Sequence, residues 1–475
     1  MTGHTPRSEP AVAEQIAGWL ASVEPQRLPA AAVTVARQLF LDVAGLCIAA
    51  RHERYIAATL EAIDRGGPCT AIGHPGAGEA RGPGGPGGPG GFDAFGAALV
   101  NGTAAHGEDF DDTFEGGPVH SGAVVVPAVL AVCERERLGG DRLLAGIATG
   151  AELMCRLSLV APTATHKAGF HPTAVFGALA AAGAAAAALR LPPAAIVSAL
   201  GIAGSMASGI IEYLAEGTWT KRMHAGWAAQ SGVRAALMAR AGFLGPRTVF
   251  EGLHGVYRAF APSIPPDFGP LLNDLGSRWV MQAIAFKPYA CGTMTQPFVD
   301  CAIKLAEGNV RAADITDIVC EVAEGTVHRL WEPLAVKRRP PTPYAAKFST
   351  PFCIATGFLE GDAGLAQFSE SRIHDPAVLD LTARIRYRIN PDDEYPRNFT
   401  GHLRATLTDG SEREFRQPYL RGGEHAPLSA AELETKFMNN ARHGGWSPAL
   451  ADRFLALTRD LFSLSRLDAL AEFRV

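Results

Sequence analysis

Residues 173–189 read TAVFGALAAAGAAAAAL, an uncharged stretch made mostly of Ala and Gly. Its length approaches that of a membrane-spanning helix, but Ala and Gly side chains gain little free energy from lipid. A helix that is apolar on every side is typical of the centre of a helical bundle. The sequence therefore predicts a buried helix surrounded by other helices.

Helical periodicity extends far to either side of this stretch. From about residue 14 to residue 260, apolar side chains recur at helical spacing, and Ala-rich runs at 141–155 and 225–241 are bounded by Pro and Gly. This pattern indicates a large all-helical domain over residues 1–278. The tail, residues 420–475, returns to helical spacing and is predicted to complete the same domain.

The pattern changes after residue 278. ITDIVCEV and VMQAIAFKPY have the composition of short strands, and LTARIRYRIN alternates apolar and charged residues. GHLRATLTDGSEREFRQ predicts a hairpin around Asp409 and Gly410, a dipeptide suited to a tight primed turn. Residues 279–419 are therefore predicted to form a smaller α+β lid domain, and the fold class is mainly α.

Charge and cysteine content argue against several classes of function. The 43 basic and 48 acidic residues give a formal net charge of −5 without long runs of one sign, which is not typical of proteins that bind nucleic acid or membrane surfaces. The eight cysteines form no CxxC pair, so they are predicted to be buried thiols rather than metal ligands. The first residues do not resemble a secretory signal, and we expect a cytoplasmic protein. The Pro- and Gly-rich run at 81–91 is predicted to be a flexible connector.

One segment gathers polar side chains within the apolar domain, because residues 106–122 read HGEDFDDTFEGGPVHSG. If the preceding helix continues into it, Asp109, Asp112 and Thr113 lie on one helix face. The Gly-Gly-Pro run then breaks the helix and turns His120 back. A break beside clustered polar groups predicts a pocket wall. For any single acid, a capped helix end that faces water is the alternative.

Two metal-binding patterns compete for this segment. An EF-hand loop starting at Asp109 fails at both its central glycine and its final carboxylate. The residues DDTFE starting at Asp111 match the DDxxE magnesium pattern of helical terpene synthases. The companion motif starting at Asn273 has Met281 in place of its last carboxylate. A magnesium-dependent, terpene-synthase-like enzyme is kept as a minority hypothesis.

Three further segments place basic or titratable side chains at breaks between apolar elements. THKAGFHPT puts His171 at a helix entrance, where the helix dipole and free amide groups favour an anion. EGTWTKRMHAG places Lys221, Arg222 and His224 before another apolar helix, and AFKPYACGT places Lys287 at the end of a predicted strand. For each residue alone, a helix cap, a solvated turn or a snorkelling lysine is the alternative.

Taken together, these side chains suit a small polycarboxylate. Cations neutralise its carboxylates, and an imidazole, with a pKa near neutrality, can move a proton. Proton removal next to a carboxylate creates an unstable dianion, which needs positive charge close by. This chemistry explains the set without a metal or cofactor, and no HExxH, GxSxG, P-loop or strand-linked GxGxxG motif indicates another.

At these residues the chain resembles the MmgE/PrpD family, which includes 2-methylcitrate dehydratase, cis-aconitate decarboxylase and iminodisuccinate epimerase. The resemblance spans about residues 15–410 and rests on NGTAAHGEDFDDT with VHSGAVVVPAVLA, GFHPTAVFGALAAA, WTKRMHAGWAAQSG and AFKPYACGT. It implies an all-helical domain with a lid domain, usually in a homodimer. By resemblance to the decarboxylase branch, the site between the two domains would be lined by Asp109, Thr113, His120, His171, Lys221 and Lys287.

The chain departs from that branch at two points. The loop from Thr113 to His120 is one residue longer, and Gly292 replaces the histidine that the decarboxylase carries five residues after its lysine. The second departure argues against faithful cis-aconitate decarboxylation and leaves dehydration or epimerisation open.

We therefore expect a cofactor-free lyase that takes a small anionic carboxylate, most nearly a 2-methylcitrate dehydratase-like enzyme. The predicted catalytic residues, with one of the two histidines exchanging the proton, are His120, His171, Lys221 and Asp109. The predicted substrate-binding residues are Thr113, Lys287, His224 and Arg222. The alternatives are an epimerase of an iminodisuccinate-like dicarboxylate, a cis-aconitate-type decarboxylase, the terpene-type enzyme and a non-catalytic carboxylate-binding paralogue.

Overall fold

The computed structural model describes residues 9–76 and 90–475, and the chain divides into two compact units. The first unit comprises Met1–Gly107, Phe114–Ile284 and Leu433–Val475, and the second comprises Glu108–Thr113 and Ala285–Glu432. Most of the Pro- and Gly-rich run at 81–91 lies outside the described residues. Both units are discontinuous in sequence. Residues 106–122, which we call the acidic segment, are divided between them.

The first unit is built mainly of helices, which agrees with the predicted fold class. Two short strands, β2 (Thr113–Phe114) and β3 (Ile284–Ala285), pair with each other. The remaining elements of this part of the chain are α1 (Val12–Ser22), α2 (Ala30–Ala49), α3 (Arg54–Glu61), β1 (Arg65–Cys69), α4 (Ala94–Gly107), α5 (Gly122–Arg135), α6 (Gly140–Leu159), α7 (Ala164–Lys167), α8 (Pro172–Ala188), α9 (Pro193–Met206), α10 (Tyr213–Glu216), α11 (Thr220–Arg240), α12 (Val256–Phe260) and α13 (Gly269–Leu272).

Helix α8 is the predicted central helix, and the prediction is confirmed. All of its residues are buried, and α5, α6, α9 and α11 pack around it. Small side chains allow this packing. A Cβ atom on Gly226 of α11 would lie 2.1 Å from the carbonyl oxygen of Leu99 in α4, and one on Gly232 would lie 2.3 Å from the Cβ atom of Ala181. The helix spacing therefore requires the Ala- and Gly-rich composition.

Helix α2 has the length and composition of a membrane span. However, 67% of its most apolar window is buried inside the structure. This burial is typical of a core helix, and we infer no bilayer span from it.

A buried arginine, Arg156, holds α6 to α13 and to the segment that follows α13. The Nε atom of Arg156 donates to Glu152 Oε1 at 2.5 Å, and its two Nη atoms donate to five backbone carbonyl oxygens between residues 270 and 278. The Glu152 carboxylate also accepts from the backbone N–H groups of Val280 and Met281. A charge removed from water is tolerated only with such partners. This network therefore fixes the end of the first unit's central chain segment.

The second unit is α+β. Its sheet has the order β5-β4-β6-β7, in which β4 and β5 are parallel and the other neighbours are antiparallel. Helix α14 packs on β6 and β7 and also contacts α18. The elements are α14 (Gln296–Glu307), β4 (Ile315–Val322), α15 (Glu324–Leu330), α16 (Leu334–Arg338), α17 (Pro343–Ala346), α18 (Thr350–Glu360), α19 (Glu370–Ile373), α20 (Pro376–Ala383), β5 (Ile385–Ile389), β6 (Gly401–Leu407) and β7 (Glu412–Gln417).

The hairpin β6–β7 is confirmed, but its turn is longer than predicted. Leu407 N–H donates to the Ser411 carbonyl oxygen at 2.8 Å, so three residues form the connection. Only Gly410 has a positive φ, of 82°, whereas a two-residue type I′ turn requires positive φ at both central residues. The strand predicted at VMQAIAFKPY is also shorter than expected, because Val280–Ala283 forms a 3-10 turn.

Two C-terminal helices return the chain to the first unit. They are α21 (Ala430–His443), which belongs to that unit from Leu433 onward, and α22 (Pro448–Asp460), which packs on α2. The ammonium of Lys436 lies 2.6 Å from Asp42 Oδ1, and both side chains are buried. The predicted helical tail is confirmed.

Candidate active site

Four histidines of the first unit meet in its interior. His106 lies at the end of α4, His120 precedes α5, His171 precedes α8, and His224 is the fifth residue of α11. The ring centroid of His106 lies 4.9 Å from that of His120 and 5.4 Å from that of His171. The centroids of His171 and His224 are 5.3 Å apart, and their Nδ1 atoms share a hydrogen bond of 3.2 Å. We call these four residues the histidine cluster.

The local sequence determines the positions of two of these imidazole rings, those of His171 and His120. Pro172 begins α8, so His171 occupies the N-cap position with an extended backbone. The predicted reversal at the Gly-Gly-Pro run is confirmed, because Phe114 N–H donates to the Val119 carbonyl oxygen at 3.0 Å and closes a tight turn. His120 emerges from this turn, and its own N–H donates to Thr173 Oγ1 at 3.3 Å.

Burial controls the charge of the cluster. His106 is 1% exposed, and His171 and His224 are each 5% exposed. Burial lowers the pKa of His171 well below its usual value, and neighbouring histidines and Lys221 lower it further. Burial, followed by His106 and Lys221, lowers the pKa of His224 to about 4. Both rings are therefore neutral at neutral pH, and a neutral imidazole can accept a proton.

Lys221 supplies positive charge beside these neutral rings. It is buried in the first turn of α11, and its charge acts on both His171 and His224. A buried ammonium next to neutral bases suits an anion whose charge grows during the reaction. The next residue, Arg222, lies over the ring of Tyr55 at 4.4 Å, so a cation–π contact positions its guanidinium.

Tyr213 and Gly209 hold the pair formed by His171 and His224. The Tyr213 ring packs edge-on against both imidazoles, with centroid distances of 6.3 Å and 5.8 Å. The carbonyl oxygen of Gly209 accepts the backbone N–H of His171 at 2.8 Å. Gly209 has a φ of 111°, and an added Cβ atom would lie 2.5 Å from the Cβ of Ala174. Only glycine fits this position.

The second unit contains three more of the predicted residues, Asp109, Thr113 and Lys287. Lys287 Nζ donates to the backbone carbonyl oxygen of Asp109 at 2.9 Å and lies 3.8 Å from Asp111 Oδ1. The hydroxyl of Tyr344 donates to the Asp109 carboxylate. The structure therefore brings Asp109 and Lys287 together, and Thr113 follows as the first residue of β2, also buried.

A second lysine holds the start of the same acidic segment. Lys347 Nζ donates to the backbone carbonyl oxygen of Glu108 at 2.8 Å and pairs with its carboxylate. Lys347 is only 2% exposed, so the ion pair offsets the cost of burying its charge. Lys347 and Lys287 therefore hold the backbone carbonyl oxygens of two successive residues, Glu108 and Asp109.

The predicted helix face through the acidic segment is wrong. Helix α4 ends at Gly107, and Asp109 has a φ of 54°, in the left-handed region that ends helices and that Asp tolerates better than most residues. Asp111 and Glu115 also lie outside any helix, and the companion motif at 273–277 lies in a turn after α13. The arrangement therefore does not match the magnesium pattern of helical terpene synthases.

Sequence reasoning missed several residues of these groups. His106 reads as one polar residue in the Ala-rich α4, and Tyr213, Tyr344 and Lys347 stand in segments without a recognisable motif. Of the predicted residues, His120, His171, His224 and Lys221 lie together in the first unit. That the reaction needs no metal stays a prediction.

Comparison with known proteins gives a consistent result. The model of the MmgE/PrpD N-terminal domain matches residues 14–268, and that of the MmgE/PrpD C-terminal domain matches residues 289–459. Human cis-aconitate decarboxylase is 31% identical over 359 residues, which cover 73% of this chain and 72% of the relative.

Two fungal proteins are also similar. The cis-aconitate decarboxylase of Aspergillus terreus (strain NIH 2624 / FGSC A1156) is 27% identical over 427 residues, covering 84% of this chain and 83% of the relative. The cis-aconitate decarboxylase-like protein oryM of Aspergillus oryzae is 26% identical over 404 residues, covering 80% of each. The similarity thus extends through most of each protein.

Proposed function

Because the chain belongs to the MmgE/PrpD family and is a lyase of that family, we propose that it acts on a small polycarboxylate by moving a proton at a carbon next to a carboxylate. The first candidate reaction is dehydration of a 2-methylcitrate-like hydroxy acid. The observation that carries this proposal is the histidine cluster, in which neutral imidazoles lie beside the buried ammonium of Lys221.

Proton removal is the difficult step. One of His120 and His171 takes the proton from the carbon as a neutral imidazole. The electron pair of the broken C–H bond moves toward the adjacent carboxylate, and Lys221 stabilises the negative charge that develops there. Burial keeps the His171 ring neutral, so the base is present in its active form at neutral pH.

Loss of the hydroxyl completes the reaction. The electron pair forms the carbon–carbon double bond while the carbon–oxygen bond breaks. The leaving oxygen takes a proton from the second of the two histidines, which must enter this step as an imidazolium and leave it as a neutral ring, and water departs. The base has gained one proton and the acid has lost one, so transfer between them restores the resting state. We keep the predictions that Lys287 binds a substrate carboxylate and that Asp109 and Thr113 orient the substrate.

Decarboxylation of a cis-aconitate-type acid is the second candidate, favoured by the similarity to cis-aconitate decarboxylases. Gly292 argues against it. A Cβ atom at this position would lie 3.5 Å from Leu330 Cδ2 and 3.5 Å from Phe348 Cδ1. The position therefore has two apolar side chains and the Lys347 carbonyl oxygen as neighbours. It has no titratable side chain of its own, where the decarboxylase branch carries a histidine.

A substrate panel tests the proposal. The purified protein is incubated in D2O with 2-methylcitrate, citrate, cis-aconitate or iminodisuccinate, and NMR follows deuterium uptake and alkene formation while carbon dioxide is measured. We expect 2-methylcitrate to lose water without release of carbon dioxide, and EDTA to leave the rate unchanged. His171→Ala should reduce the rate by about 10²–10⁴-fold, the usual contribution of a general base. His74→Gln, at a buried histidine outside the cluster, is the matched control and should retain full activity.

The other outcomes are equally informative. Release of carbon dioxide from cis-aconitate alone would support the second candidate, and deuterium exchange with inversion of iminodisuccinate would identify an epimerase. Magnesium-dependent turnover of a prenyl diphosphate would replace the proposal with the terpene-type reaction. If an acid binds measurably but no proton exchanges, the chain is a binding protein and the lyase proposal is wrong. A homodimer and a cytoplasmic location stay part of the proposal, and analytical ultracentrifugation tests the first.

A further inference from the structure

The hydrogen bond between His171 and His224 joins two like atoms. Their Nδ1 atoms lie 3.2 Å apart, and such a bond needs one Nδ1–H donor and one Nδ1 lone pair. Burial lowers the pKa of both rings, so neither is an imidazolium at neutral pH. A neutral imidazole carries its proton on only one nitrogen. The two rings must therefore adopt opposite tautomers.

The surroundings keep the two rings in contact. His171 is held by its N-cap position and by the carbonyl oxygen of Gly209, and its ring is stacked on His106 at an interplanar angle of 24°. His224 lies near the N-terminal end of α11, one of the helices that pack on α8. A Cβ atom on Gly209 would lie 3.4 Å from both Cε1 and Nδ1 of His224. These contacts hold the two rings beside each other.

We infer that His224 is a positioning residue that sets the tautomer of His171. His171 donates its Nδ1–H to the Nδ1 lone pair of His224, which places the lone pair of His171 on Nε2, and His224 carries its proton on Nε2. The inference rests on the proposed function, because only an Nε2 lone pair makes His171 a base at that atom. His224 then has the role that a carboxylate has beside the histidine of a serine hydrolase.

A neutral partner is the physically sensible choice here. The proposed substrate carries several negative charges, and a buried carboxylate beside it would repel it and would also pair with Lys221. An imidazole fixes the tautomer through a hydrogen bond without adding charge. It stabilises the protonated form of His171 less than a carboxylate would, so the base releases its proton readily.

Two variants of His224 test the inference. The Oδ1 atom of Asn can accept a hydrogen bond near the position of Nδ1, whereas Ala provides no acceptor. We expect His224→Ala to lower kcat by roughly 10–100-fold, the usual effect of removing a hydrogen-bond partner that orients a functional histidine, with little change in KM. His224→Asn should restore most of kcat, and His74→Gln should match the wild type. Circular dichroism of each variant checks its fold.

The tautomers themselves can be observed without substrate. In protein labelled with ¹⁵N-histidine, the chemical shifts should show His171 protonated at Nδ1 and His224 protonated at Nε2. In His224→Ala we expect His171 to become a mixture of tautomers, and in His224→Asn to stay protonated at Nδ1. His171 protonated at Nε2 in the wild type would overturn the inference.

Failure of the inference and failure of the proposed function are distinguishable. If His171→Ala abolishes turnover while His224→Ala retains full kcat, His171 is still essential and only the role of His224 is wrong. If no substrate is turned over but the tautomers are as expected, the hydrogen bond is established and the proposed function is wrong.

Discussion

Replacing His224 with Asn removes a group that makes the folded protein sensitive to acid. In the unfolded chain a histidine has an ordinary pKa of 6.5, whereas in the folded protein burial lowers the pKa of His224 to about 4. Between these values the unfolded chain binds a proton that the folded protein does not. The stability that His224 contributes is therefore complete above pH 6.5 and is lost as the pH falls toward 4.

The size of the effect follows from the width of this window. About 1.5 pH units separate the ordinary pKa of 6.5 from pH 5, and each unit corresponds to about 1.4 kcal/mol. The free energy of unfolding of the wild type should therefore fall by about 2 kcal/mol between pH 6.5 and pH 5 through His224 alone. His224 also contributes to the lowered pKa of His171. Its removal therefore reduces the acid sensitivity of that ring too, and about 2 kcal/mol is a lower estimate of the difference.

Glu134, another buried group, changes the stability with pH in the opposite direction. Its contribution is eliminated by comparing the variant with the wild type. Burial raises the pKa of Glu134 to about 7 from 4.5, so its contribution is largest below pH 4.5 and is lost as the pH rises toward 7. This contribution is present in both proteins and cancels in the difference between wild type and variant. The wild type measured alone would hide the effect of His224.

The assay is urea unfolding of both proteins from pH 7.5 to pH 5, followed by circular dichroism. We expect His224→Asn to have nearly the stability of the wild type at pH 7.5, because the Oδ1 atom of Asn can accept the hydrogen bond from His171, and to exceed the wild type by about 2 kcal/mol at pH 5. His254→Asn, at an exposed position of the same unit, should follow the wild type throughout. If the free energies of unfolding of the wild type and of His224→Asn differ by the same amount at every pH from 7.5 to 5, the reasoning is refuted.

Three further changes have expected outcomes. Arg156→Met leaves the buried Glu152 carboxylate without its cation and should cost about 3–5 kcal/mol, seen as a lower Tm, whereas Arg453→Met, in an exposed pair, should cost under about 1 kcal/mol. Gly226→Ala forces a Cβ atom against the Leu99 carbonyl oxygen and should cost about 1–3 kcal/mol in urea unfolding; an unchanged midpoint would show that the helices can separate. Lys287→Met should raise KM at least about tenfold if the ammonium binds a carboxylate, since one such contact is worth about 1.5–3 kcal/mol; a KM equal to that of the exposed control Lys304→Met would remove Lys287 from substrate binding.

The parts of the fold that could be predicted are those that local pattern determines. The central helix α8 follows from a run of small apolar residues, and the β6–β7 hairpin follows from alternation on both sides of a turn. In these elements the pattern of apolar residues within a short stretch of sequence is enough to predict the secondary structure and the buried face. The same holds for His171, which a proline places at a helix entrance.

The end of α4 could not be predicted in this way. The helix continues through one glycine, Gly102, so the second, Gly107, is not a distinctive stop signal. The contacts that hold Asp109 in its left-handed conformation come from Lys287 and Tyr344, more than a hundred residues later. His106 was missed for a related reason. On a helix of small residues a single histidine looks like a tolerated core residue, and only the positions of three other chain segments reveal the cluster.

The discontinuity of the first unit constrains the order in which the protein can fold. The partner of Asp42 is Lys436, which a ribosome adds only after it has completed the whole second unit. The growing chain therefore lacks the ion pair between Asp42 and Lys436 for most of its synthesis, and the N-terminal helices can reach their final state only late. The second unit is complete once residue 432 has been added, because its other six residues, Glu108–Thr113, were synthesised much earlier. Folding of this enzyme in the cell should therefore depend on chaperones that bind the incomplete first unit until its last two helices have been synthesised.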